Sequence, residues 1–263
     1  MIDQPIYLQK EPPLAWVVFN RPKMHNNAVS LEMWQALPNL VKEVVKDTTL
    51  RVLIIRGAGE EAFVSGADIS QFEKVRFGVS GGEYDQAAKK ALVALTQMEK
   101  PVIATIHSFC MGGGCSVAMM CDIRLAADDA KFGIPAAHLG IAYSLERGTE
   151  RLVHLVGPAN AAEILLTART YNSEEAYHMG LINRIIPKSE LESYTREYAL
   201  ELAKNAPLSL AAHKVSIREI LKPSLQRDME KVRTLAVRCV ESEDYREGVA
   251  AFMEKRKAKF QGW

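Results

Sequence analysis

Short runs in which almost every position is apolar recur along the chain: Ala15–Phe19, Val52–Ile55, Pro101–Ile106 and Ile123–Ala127. Runs this short, apolar at both odd and even positions, read as strands buried on both faces. Ile6–Leu8 and Ala15–Phe19 flank Glu11-Pro12-Pro13, which predicts a hairpin. Between the strands the period changes to that of a helix. Ser30 can cap a helix in which Met33, Leu37, Leu40, Val41 and Val44 share a face, running to about Lys46. A second helix is expected over Glu83–Met98, after a loop containing Gly66. Gly112-Gly113-Gly114 then opens a helix over Cys115–Cys121. A loop with Gly133, Pro135 and Gly140 precedes helices at Glu146–Leu155 and Ala159–Leu166. A short helix from Ser173 to Gly180 leads to a last strand, Leu181–Ile186, stopped by Pro187. From Lys188 to Lys257 the pattern is helical, broken near Pro207 and Pro223.

Strands alternating with helices predict an α/β core over Met1–Lys188, followed by a helical subdomain over Ser189–Trp263 suited to packing on a neighbouring protomer. Composition narrows the function classes. Lys plus Arg number 33 and Asp plus Glu 32, a net charge of +1, which argues against a nucleic-acid protein with its basic face. No apolar stretch reaches the ~18 residues of a membrane span. Met1–Pro5 lacks the basic and apolar regions of a signal peptide, so a cytoplasmic protein without membrane or nucleic-acid partners is expected. Cys110, Cys115, Cys121 and Cys239 form no C-x-x-C pair; three lie in apolar sequence, as buried, reduced thiols do, and no metal site is expected.

Three glycine-bearing loops compete for the chemistry. Gly57-Ala58-Gly59-Glu60-Glu61-Ala62 follows a strand and fits G-x-G-x-x-A, a dinucleotide fingerprint. The next residues read as extended rather than helical, and Glu60 with Glu61 would repel a pyrophosphate. Phe63–Ile69 is a strand-to-loop turn in which Asp68 can cap the residues that follow. Gly112-Gly113-Gly114 leaves backbone bare at a helix start, where free N–H groups and about half a positive charge favour an anion in dry surroundings. It lacks the Lys-Ser/Thr of a phosphate loop. Tight helix–sheet packing is the alternative use of the same glycines. A Ser–His hydrolase is a weaker reading: Ser116 follows Cys115 outside any G-x-S-x-G, and no Ser…Asp…His motif is evident.

Together these segments resemble the enoyl-CoA hydratase/isomerase family, or crotonase superfamily. Asn20-Arg21-Pro22 with Asn27-Ala28-Val29-Ser30 is similar to its N-R-P…N-A-L motif, with one extra residue between the halves. Ala62–Ile69 is similar to A-F-x-x-G-A-D-I. Lys100–Ala104, Gly112–Asp122, Phe132–Pro135, Leu139–Ile141, Gly180–Asn183, Glu247–Phe252 and Glu254–Lys257 continue the likeness in order. The resemblance implies a spiral of ββα units with a C-terminal helical subdomain, assembled as a homotrimer or dimer of trimers. It implies an acyl-CoA ligand, with coenzyme A as part of the substrate thioester and no tightly bound cofactor. The thioester oxygen would be held by the backbone N–H groups of Ser65 and Gly113. Ser65, Gly66, Ala67, Asp68 and Ile69 would hold the adenine. Lys23 is placed with the coenzyme A contacts, and Phe252 and Lys255 of a neighbouring subunit would reach the nucleotide end. Read without the resemblance, Phe252 and Lys255 are a helix-surface aromatic and a solvated lysine.

The chain departs from the family where its hydratases carry two glutamates. The first position is Ser116; the second is Ala137, or Ala136 if the loop aligns differently. Neither serine nor alanine does proton transfer at neutral pH, help that contributes ~10²–10⁴-fold in rate, so efficient hydration is not expected. His138, beside Ala137, is one substitute; a surface or packing histidine is the alternative reading of it. Tyr143, in Leu139–Ser144, is another. That stretch and Ser242–Gly248 resemble the family's methylmalonyl-CoA decarboxylases, in which a tyrosine at this place faces substrate. Those enzymes carry a histidine where this chain has Ala67, and Tyr143 also reads as a loop aromatic packed on the core. Glu146 is a further rim candidate, and Glu150 a helix-start residue. A non-catalytic acyl-CoA binder remains the third functional reading.

Overall fold

The computed structural model describes residues 4–23, 27–72, 81–143 and 148–263. The hairpin forms as expected: β1 (Ile6–Glu11) pairs antiparallel with β2 (Leu14–Phe19). Helix α1 (Leu31–Lys46) starts at Ser30, whose side chain accepts from the Met33 N–H. Strand β3 (Val52–Gly57) and strand β4 (Ala62–Val64) follow, then α2 (Gly81–Gln97). Next come β5 (Val102–Ile106), β6 (Phe109–Met111) and α3 (Gly113–Met120). The third unit is β7 (Ile123–Ala127), β8 (Lys131–Gly133), a 3₁₀ turn at Pro135–Leu139 and α4 (Thr149–Thr167). β9 (Tyr171–Asn172), α5 (Ser173–His178) and β10 (Arg184–Ile186) close the sheets. Helices α6 (Leu191–Ala203), α7 (Pro207–Ile220), α8 (Met229–Glu241) and α9 (Glu243–Met253) end the chain.

The strands divide between two sheets. One has the order β1-β2-β3-β5-β7-β10, parallel from β2 onward; the other has the order β4-β6-β8-β9. Each pair β3–β4, β5–β6 and β7–β8 therefore places one strand in each sheet before the chain turns into a helix, a strand–strand–helix unit repeated three times.

Alternation along β2 explains its unbroken apolar run. Ala15, Val17 and Phe19 face a core shared with α1, α2 and α3, whereas Leu14, Trp16 and Val18 face a second core closed by Leu191, Ala199 and Ala203 of α6. Both faces are covered, so no polar position is tolerated.

Several elements differ from the sequence reading. β6 and β8 lie where loops are expected, and α3 begins at Gly113 rather than Cys115. The last strand is only Arg184–Ile186, because the Leu181 and Ile182 N–H groups bond to Ala176 O (2.8 and 3.4 Å) and close the end of α5. The two helices expected over Glu146–Leu166 are present, though the first starts only at Thr149: α4 is two helical segments separated at Gly157, whose φ of 77° and ψ of 163° are not helical and precede Pro158. Glu146 itself lies outside the described residues. The helical pattern is interrupted near Pro207, as expected: α6 ends at Ala203 and Pro207 opens α7.

Candidate active site

The site is built where the second sheet hands the chain to α3. Val29 forms a parallel bridge with Ala67; its N–H donates to Gly66 O (2.8 Å), and the Asp68 N–H donates to Val29 O (3.0 Å). Asp68, expected as a turn cap, makes no side-chain cap at Ile69–Gln71. Its carboxylate is buried and instead accepts from Arg21 Nη1 (2.8 Å) and Ser70 Oγ (2.6 Å). Arg21 Nη1 also donates to Ala28 O (2.9 Å). Asn27, at φ 62°, accepts from the Arg21 N–H and donates to the carbonyls of Ala58 and Ala62, each at 2.8 Å. The Asn-Arg-Pro and Asn-Ala pieces thus clamp the Ser65–Asp68 strip from behind.

The strip passes directly beside the glycine corner. A Cβ built on Gly113 would lie 3.7 Å from the Gly66 carbonyl carbon and 3.8 Å from the Ala67 nitrogen, with the Trp34 ring at 3.5 Å. Those are ordinary contacts. At Gly114 a Cβ would instead run into Val64, whose own Cβ would be 2.9 Å away. Gly112, at φ 47°, makes the turn, and its N–H donates to Gly133 O (2.8 Å). So the triplet divides its labour: Gly112 turns, Gly114 packs, and Gly113 presents backbone. Among the described residues none accepts from the Gly113 N–H, as befits the first turn of a helix. Ser65, Ala67, Gly112 and Gly113 are all half-buried, so the corner reaches the surface. Trp34, nearly fully buried under this corner, is a neighbour that sequence spacing does not reveal.

Ser116 and Tyr143 are brought together. The Ser116 side chain is buried one turn into α3, and its Oγ lies 2.7 Å from the Tyr143 hydroxyl. Ser116 Oγ also reaches Gly112 O at 3.3 Å. Thr149 Oγ1, at the start of α4, donates to Tyr143 O (2.6 Å) and fixes the backbone of the tyrosine. Burial pushes the Tyr143 hydroxyl above its ordinary value, so it stays a neutral donor at any physiological pH. A Cβ on Gly148 (φ 123°) would lie 3.2 Å from the terminal methyls of Met119 and Met120 and 3.4 Å from Tyr143 Oη, so these side chains crowd one another.

The remaining predicted residues are not gathered here. Ala137 and His138 are exposed on the 3₁₀ turn, whereas Ala136 is half-buried against the core and is the inward-facing one of the two alanines. Glu150 sits in the first turn of α4 as expected. Lys23, Ile69, Phe252 and Lys255 are exposed in the single chain, Phe252 to 82%. The G-x-G-x-x-A stretch leads into β4, not a helix, and a Cβ on Gly57 would strike the carbonyls of Ala62 and Phe63, so that glycine serves the turn between sheets. All four cysteines are free thiols; burial raises Cys110 and pushes Cys121 up to about 12, away from nucleophilic use.

Sheets interleaved in three strand–strand–helix units, with a bare helix start at their crossing, define an α/β fold whose site is made chiefly of main chain. The sequence profile described as Enoyl-CoA hydratase/isomerase matches residues 9–263. The crotonyl-CoA hydratase of Syntrophomonas wolfei is 36% identical over 260 residues, covering 99% of both chains. The short-chain-enoyl-CoA hydratase of Clostridium acetobutylicum is 34% identical over 252 residues, 96% of this chain and 95% of that one. The crystal structure of an enoyl-CoA hydratase/isomerase family protein from Hyphomonas neptunium superposes with a TM-score of 0.93 at 37% identity, covering 99% of this chain and 98% of that one. The chain belongs to the enoyl-CoA hydratase/isomerase family, with its crotonase fold and its acyl-CoA chemistry.

Proposed function

We propose that this protein processes an acyl-CoA thioester by holding its carbonyl oxygen, as it turns into an enolate, between the backbone N–H groups of Ser65 and Gly113. The observation that carries this reading is the juxtaposition of the Ser65–Ala67 strip with the half-exposed Gly113 at the head of α3. A donor aimed at a developing oxyanion in a dry site contributes ~3 kcal/mol or more. Lys23, Ser65–Ile69 and, from a neighbouring subunit of a trimer or dimer of trimers, Phe252 and Lys255 would grip the coenzyme A portion. Calorimetry with a panel of acyl-CoAs tests the binding; if none binds, acetoacetyl-CoA included, the reading fails.

Within this class, efficient hydration is the disfavoured branch. The two positions that would activate water are a serine engaged with Tyr143 and an alanine. Loss of crotonyl-CoA absorbance at rates typical of efficient enzymes would refute this. The Ser116–Tyr143 contact favours a second reading: decarboxylation of a methylmalonyl-type thioester. There the bond to the carboxylate breaks, its electrons pass to the thioester carbonyl, CO₂ leaves, and the enolate carbon is reprotonated. The step needs enolate stabilisation and an oriented carboxylate, and a neutral, buried tyrosine hydroxyl is suited to the second task. Tight binding with no turnover in any assay would instead point to a non-catalytic acyl-CoA binder.

A further inference from the structure

The far end of α3 carries two guanidinium groups. Arg151, from α4, donates through Nε to Met119 O (3.0 Å). Arg124, from β7, donates through Nη1 to Cys121 O (2.7 Å) and through Nε to Leu181 O (2.7 Å), and its Nη2 reaches Asn183 Oδ1 at 3.4 Å. Among the described residues both arginines are satisfied by carbonyl oxygens, not by a carboxylate. Arg124 is 4% exposed, and burial lowers it to about 10, which leaves it charged at neutral pH. The other charged pair at this end, Asp122 with Lys214 (2.6 Å), sums to zero. Among the described residues, Arg124 and Arg151 thus bring two positive charges without a bonded carboxylate to the carboxyl end of an eight-residue helix.

That placement has an electrostatic consequence at the other end. The peptide dipoles of a helix leave about half a positive charge at its start and half a negative charge at its finish. In a helix this short the finish is only about 12 Å from the start, so its negative pole opposes an anion bound there. We propose that Arg124 and Arg151 are positioning residues for the thioester site, cancelling the negative pole of α3 so that the Gly113 end presents its full positive potential to an enolate. The inference rests on the thioester reading above. At ~12 Å and an effective dielectric near 20, one unit charge moves an ionisation equilibrium by roughly tenfold at most, and by about threefold where water screens it.

The test uses the whole protein with bound acetoacetyl-CoA, whose enolate absorbs near-ultraviolet light that the keto form does not. Arg151→Gln keeps an N–H donor for Met119 O but removes the charge; Arg151→Lys keeps the charge. The wild-type protein should bind the ligand and enolise it at lower pH than free solution does. Arg151→Gln should bind the keto form equally well but need about 0.5–1 pH unit more to enolise it, a three- to tenfold loss of enolate, and Arg151→Lys should restore the wild-type curve. Enolisation unchanged in Arg151→Gln overturns the inference, as does Arg151→Lys behaving like Arg151→Gln with both variants folded. Absence of binding by the wild-type protein overturns the thioester reading itself, a separate result.

Discussion

Ser116 and Tyr143 stand 27 residues apart in the chain and meet through a single short hydrogen bond. Replacing Tyr143 by Phe removes that bond and the only hydroxyl the tyrosine can offer a substrate. Carbon dioxide release from methylmalonyl-CoA should fall roughly 10- to 100-fold, the factor expected when one buried hydrogen bond to a reacting group is lost. Stability to denaturant should drop by only about 1 kcal/mol. An unchanged release rate removes Tyr143 from the mechanism. The proposed loss of the hydratase glutamates rests on the sequence alone, because the order of the motifs is what places Ser116 and the Ala136–Ala137 pair. The hydroxyl pair is not legible, since nothing in local spacing says that the loop after Gly140 folds back onto α3. Asp68 shows the same limit: its position before a turn suggests a cap, and only the fold reveals that Arg21 takes the carboxylate.

At the scale of elements, the glycine corner separates packing from function. Gly114→Ala should destabilise the fold by several kcal/mol, because α3 lies against β4 with no room for a methyl group at Val64. Gly113→Ala meets only ordinary contacts and should fold, while its added methyl sits beside the strip of amides and weakens acyl-CoA binding. Thermal melting and calorimetry on the two variants should therefore give opposite patterns; equal melting temperatures would contradict this division. The central strands β2, β3, β5 and β7 of the six-stranded sheet are legible because each is an apolar run buried nearly throughout. β6 and β8 are not, because three residues carry no period, and their partners lie in other units. The break within α4 is likewise legible, signalled by Gly157-Pro158, and Leu152, Val156, Ala161 and Ile164 bury the segments on either side of it.

On the scale of the whole molecule, the C-terminal segment folds back onto α9. Asp244 is buried and accepts from the N–H groups of Gln261 (2.6 Å) and Gly262 (2.9 Å). Glu247 accepts from Arg256 (2.6 and 2.8 Å) and from the Lys259 N–H (2.8 Å), which holds its carboxyl down at about 2. A carboxylate with a lowered folded value supports the fold above its unfolded value near 4.5, and the support is lost as pH falls toward 2. Protease sensitivity of residues 254–263 should accordingly rise over that window, and a Glu247→Gln variant should show it already at pH 7. Phe252, Met253, Val240 and Val249 leave an apolar groove of about 410 Å³ along α8 and α9. Sedimentation should give a trimer or a dimer of trimers, and Val249→Asp should shift it toward monomer without unfolding the chain.

The abutment of Gly114 on Val64 reaches beyond stability. On the proposed reading, a grip made of amides has no side chain to mutate, so drift in the lining residues can exchange one reaction for another while the handle on the carbonyl stays put. There a hydroxyl pair and an alanine would occupy that lining, a change of tool in an unaltered vice.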